Sequence, residues 1–294
     1  MTLYSCINSL VLIVSTVLIF KAVSYLYALL TCRYKHKTAD MNKKDWKKDV
    51  VYLYQFPKRT FVPNVSAFCL KVETFLIHHG IKHEVIESMT LRSTEGKLPL
   101  VELNGRQIPD SQLIILELTK HFNLTERTDR RQKALDRILS RFVDHATSPA
   151  IYYDKIGRNA SKFIRLFYGD APFYIQIIAT ASVYLNMWQS LNGEGTGRHQ
   201  PEEIREILHE DLDALDSLLG DNDWILGGEK PTLADIVLFA HIAGSYDLPF
   251  ELPIHKLLEE KFPGLIAHHN RMAERYYPGF KFGGFKREEA KKIR

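Results

Sequence analysis

Two helix starts in this sequence gather hydroxyls, a carboxylate and backbone amides. Ser66 precedes a run in which Phe68, Val72, Phe75, Leu76 and His79 share one face, and Gly80 stops it. That is the pattern of an N-capped helix. Pro109-Asp110-Ser111 opens a second run, with Leu113, Ile114, Leu116 and Leu118 leading to Phe122. A helix start presents unpaired N–H groups and the positive end of the helix dipole, so it can hold an anionic or peptide-like ligand. The same residue types also cap helices and shape turns with no ligand at all. Other reactive side chains offer less. Cys6, Cys32 and Cys69 lack C-x-x-C spacing, which argues against a disulfide framework and a cysteine-built metal cluster. His78-His79 with His83, and His268-His269, have no Cys or carboxylate set at ligand spacing. They are expected as surface residues or helix caps, and no metal site is expected.

The elements that must position these residues follow from periodicity. Residues 50–54 (VVYLY) are β-branched and aromatic and read as a buried strand, and the helix after Ser66 follows it. Residues 83–86 and 98–103 read as further strands, and Asn104-Gly105 as a hairpin turn into Gln107-Ile108. With the helix opening at Asp110 this is a βαβββα unit over residues 50–122, its first two strands parallel. Beyond Thr125 helical spacing takes over: Leu135, Ile138, Leu139, Phe142 and Val143, then an apolar helix over 175–188, then Ile204, Leu208, Leu212, Leu215 and Leu219. Residues 123–294 are therefore an all-α part, interrupted by a flexible Gly-rich break at 192–197. In Pro231-Thr232-Leu233-Ala234-Asp235 the threonine and aspartate form a reciprocal capping box, and the helix behind them is apolar nearly all round and must be buried.

Charge separates the two ends from the body. The chain has 294 residues, 39 Lys+Arg and 35 Asp+Glu, 45% hydrophobic and 25% charged residues. These are ordinary globular values, without a nucleic-acid signature. Residues 31–48 hold seven Lys/Arg against two Asp, and 281–294 hold six against two Glu, leaving a mildly acidic body. Residues 7–30 are apolar with one charge, Lys21, and long enough to cross a hydrocarbon core about 30 Å thick. No basic residue precedes that run and its length exceeds a signal-peptide core, so it reads as a single-pass anchor within residues 1–49. The basic block after it puts the body on the cytosolic side. An endomembrane such as the lysosome, or the mitochondrial outer membrane, would suit equally. Sequons at Asn64, Asn123 and Asn159 should then stay unmodified.

The βαβββα unit, Leu98-Pro99, Asp110-Ser111 and Thr232-Leu233-Ala234-Asp235 together resemble glutathione transferases over nearly the whole body. Within that superfamily residues 52–59, Pro63 and residues 66–74 resemble the failed axon connections family. The apolar N-terminus and length resemble its cadmium-responsive branch, and the metaxins are related. The resemblance implies a fold that is α/β plus all-α: a thioredoxin-like βαβββα domain at 50–122 and a transferase-type helical domain at 123–294, behind the transmembrane helix. It implies a cis Leu98-Pro99 bond whose Leu98 backbone pairs with the cysteinyl part of glutathione, and Asp110 and Ser111 at the γ-glutamyl end. Ser66 falls at the sulfur, with Tyr54 as the alternative donor found in Tyr-type enzymes. Glutathione is then the co-substrate, small electrophiles the second substrate, and a homodimer the arrangement of many transferases. The implied role is glutathione conjugation in cadmium or xenobiotic stress and detoxification. The rival is a non-catalytic, metaxin-like adaptor at a membrane surface.

Overall fold

The computed structural model describes residues 14–21, 41–124 and 129–283. Residues 1–39 and 40–294 form two separate units. In the first, residues 14–21 are helical with exposed side chains, and the rest of the predicted span over 7–30 lies outside the described residues. Among the described residues no helix is long and apolar enough to cross a membrane. The linker at 31–40 and most of the basic tail, residues 284–294, also lie outside them.

The larger unit begins as read from the sequence. Strand β1 (Val51–Gln55) is buried throughout. Helix α1 (Ala67–His78) follows and ends where Gly80 takes φ +62°. Strand β2 (His83–Glu87) pairs parallel with β1, Val51 opposite His83. Strand β3 (Leu100–Leu103) runs antiparallel to β1, and strand β4 (Arg106–Pro109) returns along β3. Asn104 and Gly105, at φ +48° and +81°, make the left-handed turn such a hairpin needs. The sheet order is β2-β1-β3-β4, and helix α2 (Ser111–His121) closes the unit.

Glu102 on β3 is fully buried and organises one face of this sheet. It accepts from the amides of Asn42 (2.7 Å) and Lys43 (2.9 Å), from the side chains of Asn42 and Gln107, and from the Tyr54 hydroxyl. Burial would raise its pKa, but these donors outweigh that and lower it. The segment just before β1 is thereby tied to the sheet.

The remainder is helical. Helix α3 (Arg130–Phe142) runs into a π-helical turn (Val143–Thr147), helix α4 (Ser148–Tyr152) and a second such turn (Tyr153–Gly157). Helices α5 (Ala160–Tyr168), α6 (Phe173–Glu194) and α7 (Pro201–Leu219) follow. Then come α8 (Leu233–Tyr246), α9 (Pro253–Lys261) and α10 (Pro263–Tyr276). Every residue of α8 from Ala234 to Ser245 is buried, as its all-round apolarity requires, and α1 packs against it. At its start the Thr232 amide donates to Asp235 Oδ2 (2.7 Å), and the Thr232 hydroxyl donates to the same oxygen (3.0 Å). Asp235 also accepts from the Ile225 amide and from His268.

Two readings of the helical part change. His268 and His269 are buried rather than at the surface, because α10 turns them toward carboxylates: Asp235 for His268 and Asp247 for His269, at 2.9 and 2.8 Å. Helix α6 does not stop at the Gly-rich stretch. It runs on through Asn192 and Gly193 to Glu194, and the break is confined to Gly195, at φ +124°, and a short 3-10 turn (Thr196–Arg198). Apolar as it is, α6 has one buried residue, Leu191.

Candidate functional site

The head of α1 is built by its approach loop. Asn64 is fully buried, donates from Nδ2 to the Phe56 carbonyl (2.7 Å) and accepts the Ser66 amide on Oδ1 (3.0 Å). This Asx-type turn fixes the direction in which the chain enters the helix. The loop of residues 57–65 is pinned elsewhere too. The Lys58 amide donates to Glu87, Arg59 to the Val62 carbonyl, and Gly283 to the Phe61 carbonyl.

Ser66 occupies the N-cap position in an extended conformation, φ −87° and ψ 112°. Its carbonyl accepts the first helical bond, from Leu70, yet its side chain makes no capping bond. The hydroxyl instead lies beside the buried Cys69 thiol, which burial pushes up to about 12. Cys69 is therefore an unreactive core thiol rather than half of a redox pair. Leu98 belongs to the same small cluster as Cys69, Tyr54 and Leu100, so the Leu98-Pro99 junction stands against the first turns of α1. That peptide bond is cis.

Asp110 behaves differently from Ser66. At φ +65° it is held in the left-handed region, and Oδ1 accepts the amides of Gln112 (2.8 Å) and Leu113 (3.1 Å). It is a helix cap in fact, exposed, with its second carboxylate oxygen uncommitted to that cap. Ser111 beside it is buried. The alternative donor, Tyr54, is buried and gives its hydroxyl to Glu102 (2.9 Å). Burial and that carboxylate drive the phenol well above its ordinary range, so it is spent on the sheet rather than offered to a ligand.

Two buried lysines lock α1 against the helical part, and neither was recognised from the sequence. Lys71 Nζ lies 2.7 Å from Asp144 Oδ2, with both side chains fully buried. Asp144 also accepts from His241 (3.0 Å) and from Gln112, whose own carbonyl takes Arg137. Burial would raise the Asp144 carboxyl, but the His241 bond and the Lys71 charge hold it well below the usual range, so the pair is ionised. Through Gln112 the head of α2 joins this clasp. Lys155 has no such partner among the described residues. It is buried, donates to the Val65 carbonyl (2.7 Å), and stands over the rings of Tyr152 and Phe163. Desolvation pulls its ammonium down to about 7. Gly244 of α8 lets this happen: a Cβ there would come within 3.3 Å of the Val65 carbonyl and 3.4 Å of Lys155 Nζ. Pro63-Asn64 is a turn signal that points to Asn64; Lys155, next to Asp154 in the sequence, carries no signal of its burial.

A cavity of about 910 Å³ is lined by His78, His79, Lys230, Arg275 and neighbours, at the far end of α1 from Ser66. Neither it nor three smaller cavities, beside Arg106, Arg165 and Lys133, is lined by Ser66, Leu98, Pro99, Asp110 or Ser111. The head of α1 beside the prolyl junction and the exposed Asp110 carboxylate at the head of α2 carry polar groups that suit a ligand with peptide backbone and carboxylates. Among the described residues no group of three or more His, Cys, Asp or Glu is placed to hold a metal ion.

Comparison with known proteins agrees with this architecture. Residues 67–162 match the glutathione S-transferase N-terminal domain, and residues 208–272 the glutathione S-transferase C-terminal domain. The chain is 30% identical over 256 residues to Failed axon connections of Drosophila melanogaster, a match covering 81% of this chain and 61% of that one, so the chain spans about three fifths of that relative. It is 24% identical to the isoprene-epoxide–glutathione S-transferase of Rhodococcus sp. (strain AD45), over 77% of this chain and 99% of that one. Among solved structures, glutathione transferase GSTFuA3 of Phanerochaete chrysosporium superposes with a TM-score of 0.56 at 14% identity, covering 77% of this chain and 97% of that one. A Methylobacterium radiotolerans glutathione S-transferase, solved with glutathione sulfonate, gives 0.52 at 16% identity, covering 81% and 96%. These structures speak for the fold. The chain belongs to the glutathione transferase-like proteins and is similar, among them, to Failed axon connections.

Proposed function

We propose that this chain binds glutathione along the edge formed by Ser66, Leu98-Pro99 and Asp110-Ser111, and conjugates it to soft electrophiles at a membrane. The Leu98 backbone pairs with the cysteinyl residue, the Asp110 carboxylate takes the γ-glutamyl ammonium, and the Ser111 amide and hydroxyl, at the positive end of α2, take its carboxylate. The Ser66 hydroxyl donates to the thiolate, which the positive end of α1 also stabilises. The thiol proton leaves to water. The sulfur lone pair then forms the C–S bond as the electrophile's leaving group departs with its electrons, or as a strained ring opens. Residues 7–30 tether the body with its bulk in the cytosol, and the role is in cadmium or xenobiotic stress.

The observation that carries this reading is the Ser66 hydroxyl, which sits at a helix start without capping it and has a thiol, Cys69, a weak hydrogen-bonding group, for its partner. Glutathione affinity of the full chain tests it. Asp110→Ala should weaken binding about ten- to a hundredfold, the scale of one charge-assisted bond. Ser66→Ala should still bind but lose about a hundredfold or more in conjugation rate. No binding by the unaltered chain at millimolar glutathione rejects the reading in favour of a transferase-fold adaptor.

A further inference from the structure

Helix α6 breaks the rule that apolar helices are buried. Its 22 residues run about 33 Å, and from Ala171 to Gly193 the sequence holds no charged side chain. Even so, Phe173, Ile178 and Leu185 are 75%, 67% and 62% exposed. At 100° per residue Phe173, Tyr184, Ile177, Tyr174, Leu185 and Ile178 fall within one arc of about 140°. The arc continues across an apolar groove of about 480 Å³ between α5 and α6, lined by Arg165, Phe173, Ile177 and Tyr184. A patch of this kind marks a surface that something covers.

Its occupant is identified by charge. Arg158, Lys162 and Arg165 are exposed just before and along α5; Arg165 lines the groove, Lys162 Nζ stands over the Phe250 ring, and among the described residues none of the three is in an ion pair. An apolar stripe with ring side chains, edged by more cations than acids, with Asp170 and Glu194 at its two ends, matches a bilayer with anionic headgroups. A second copy of the chain fits less well, because a two-fold contact sets this cation-rich face against itself. We propose that α6 lies in the interfacial plane of an anionic membrane, with Ile177, Ile178 and Leu185 below the headgroups and Arg158, Lys162 and Arg165 among them. This docking goes beyond the N-terminal anchor and does not require it.

The test uses the full chain with Ile178→Cys, and in parallel Leu185→Cys, each in a Cys6→Ser/Cys32→Ser background that leaves Cys69 buried. Each is labelled with an environment-sensitive fluorophore and mixed with vesicles of phosphatidylcholine alone or with phosphatidylserine. Both labels should move to blue emission in the anionic vesicles. Arg158→Glu with Lys162→Glu and Arg165→Glu should weaken the response about a hundredfold or more, at roughly fivefold for each of three cations. Alkaline extraction of the same vesicles reads the anchor separately, so an extractable chain with shifted labels leaves the docking intact. Emission unchanged by either lipid overturns the proposal. So does a shift that needs no lipid and accompanies cross-linking between two labelled copies, which would assign the face to self-association.

Discussion

Lys155 is an ammonium buried without a counter-charge, and replacing it with methionine should make the protein more stable at neutral pH and alter how stability follows pH. In water a lysine titrates at 10.5; here desolvation brings it to about 7. The difference is worth roughly 5 kcal/mol. The folded chain holds this proton less tightly than the unfolded chain, so between about pH 7 and 10.5 the unfolded state binds more protons and stability rises with pH. The cost of burial is fully present below pH 7 and gone above about 10.5. At pH 7 it amounts to about 4 kcal/mol and at pH 9 to about 2 kcal/mol. Lys155→Met removes that cost but leaves the Val65 carbonyl without its donor, a loss of about 1–3 kcal/mol. The variant should therefore gain roughly 1–3 kcal/mol at pH 7 and little or nothing at pH 9. Urea unfolding of both full chains at the two pH values measures this, with Trp188, in ring contact with Tyr153, among the fluorescent reporters. A gap between variant and parent that is equal at both pH values would refute the reasoning, since it would mean that Lys155 does not titrate between them.

Asp144→Asn strands the Lys71 ammonium in the core and should cost about 3–5 kcal/mol in urea unfolding. Because the Asp144 carboxyl is held below its ordinary range, the parent should lose this contribution as pH falls through the acid range, and the Asn variant should show a flatter acid limb. Asp235→Ala removes the acceptor for the Thr232 and Ile225 amides and for His268, all in the interior. A loss of at least about 3 kcal/mol is expected, visible as a drop in Tm.

The elements that the sequence made legible are those whose evidence is local. Strand β1 is apolar or aromatic at every position but its last, the hairpin has two residues that tolerate positive φ, and α8 is apolar on all sides; each pattern admits one arrangement. The helix heads at Ser66 and Asp110 were equally visible, though not the contrast between them, since only coordinates reveal that one caps and the other does not. What stayed hidden depends on partners far along the chain. Glu102 is a buried acid because Asn42 and Lys43, some sixty residues earlier, supply amides to it. His268 reaches Asp235 across 33 positions and Lys71 reaches Asp144 across 73. Periodicity reports which face a residue takes, not which distant group will neutralise it. The length of α6 is hidden for another reason: Asn192 and Gly193 weaken a helix without ending it, and Gly195 with positive φ is the stop.

The central claim is that Ser66 stabilises a glutathione thiolate at the head of α1, and the ultraviolet absorbance of bound thiolate across a pH titration addresses it directly. With the unaltered full chain the bound thiol should ionise about one to two pH units lower than with Ser66→Ala, the scale of one hydrogen bond to a charged sulfur. Coincident titrations for the two proteins, with glutathione bound to both, would contradict it.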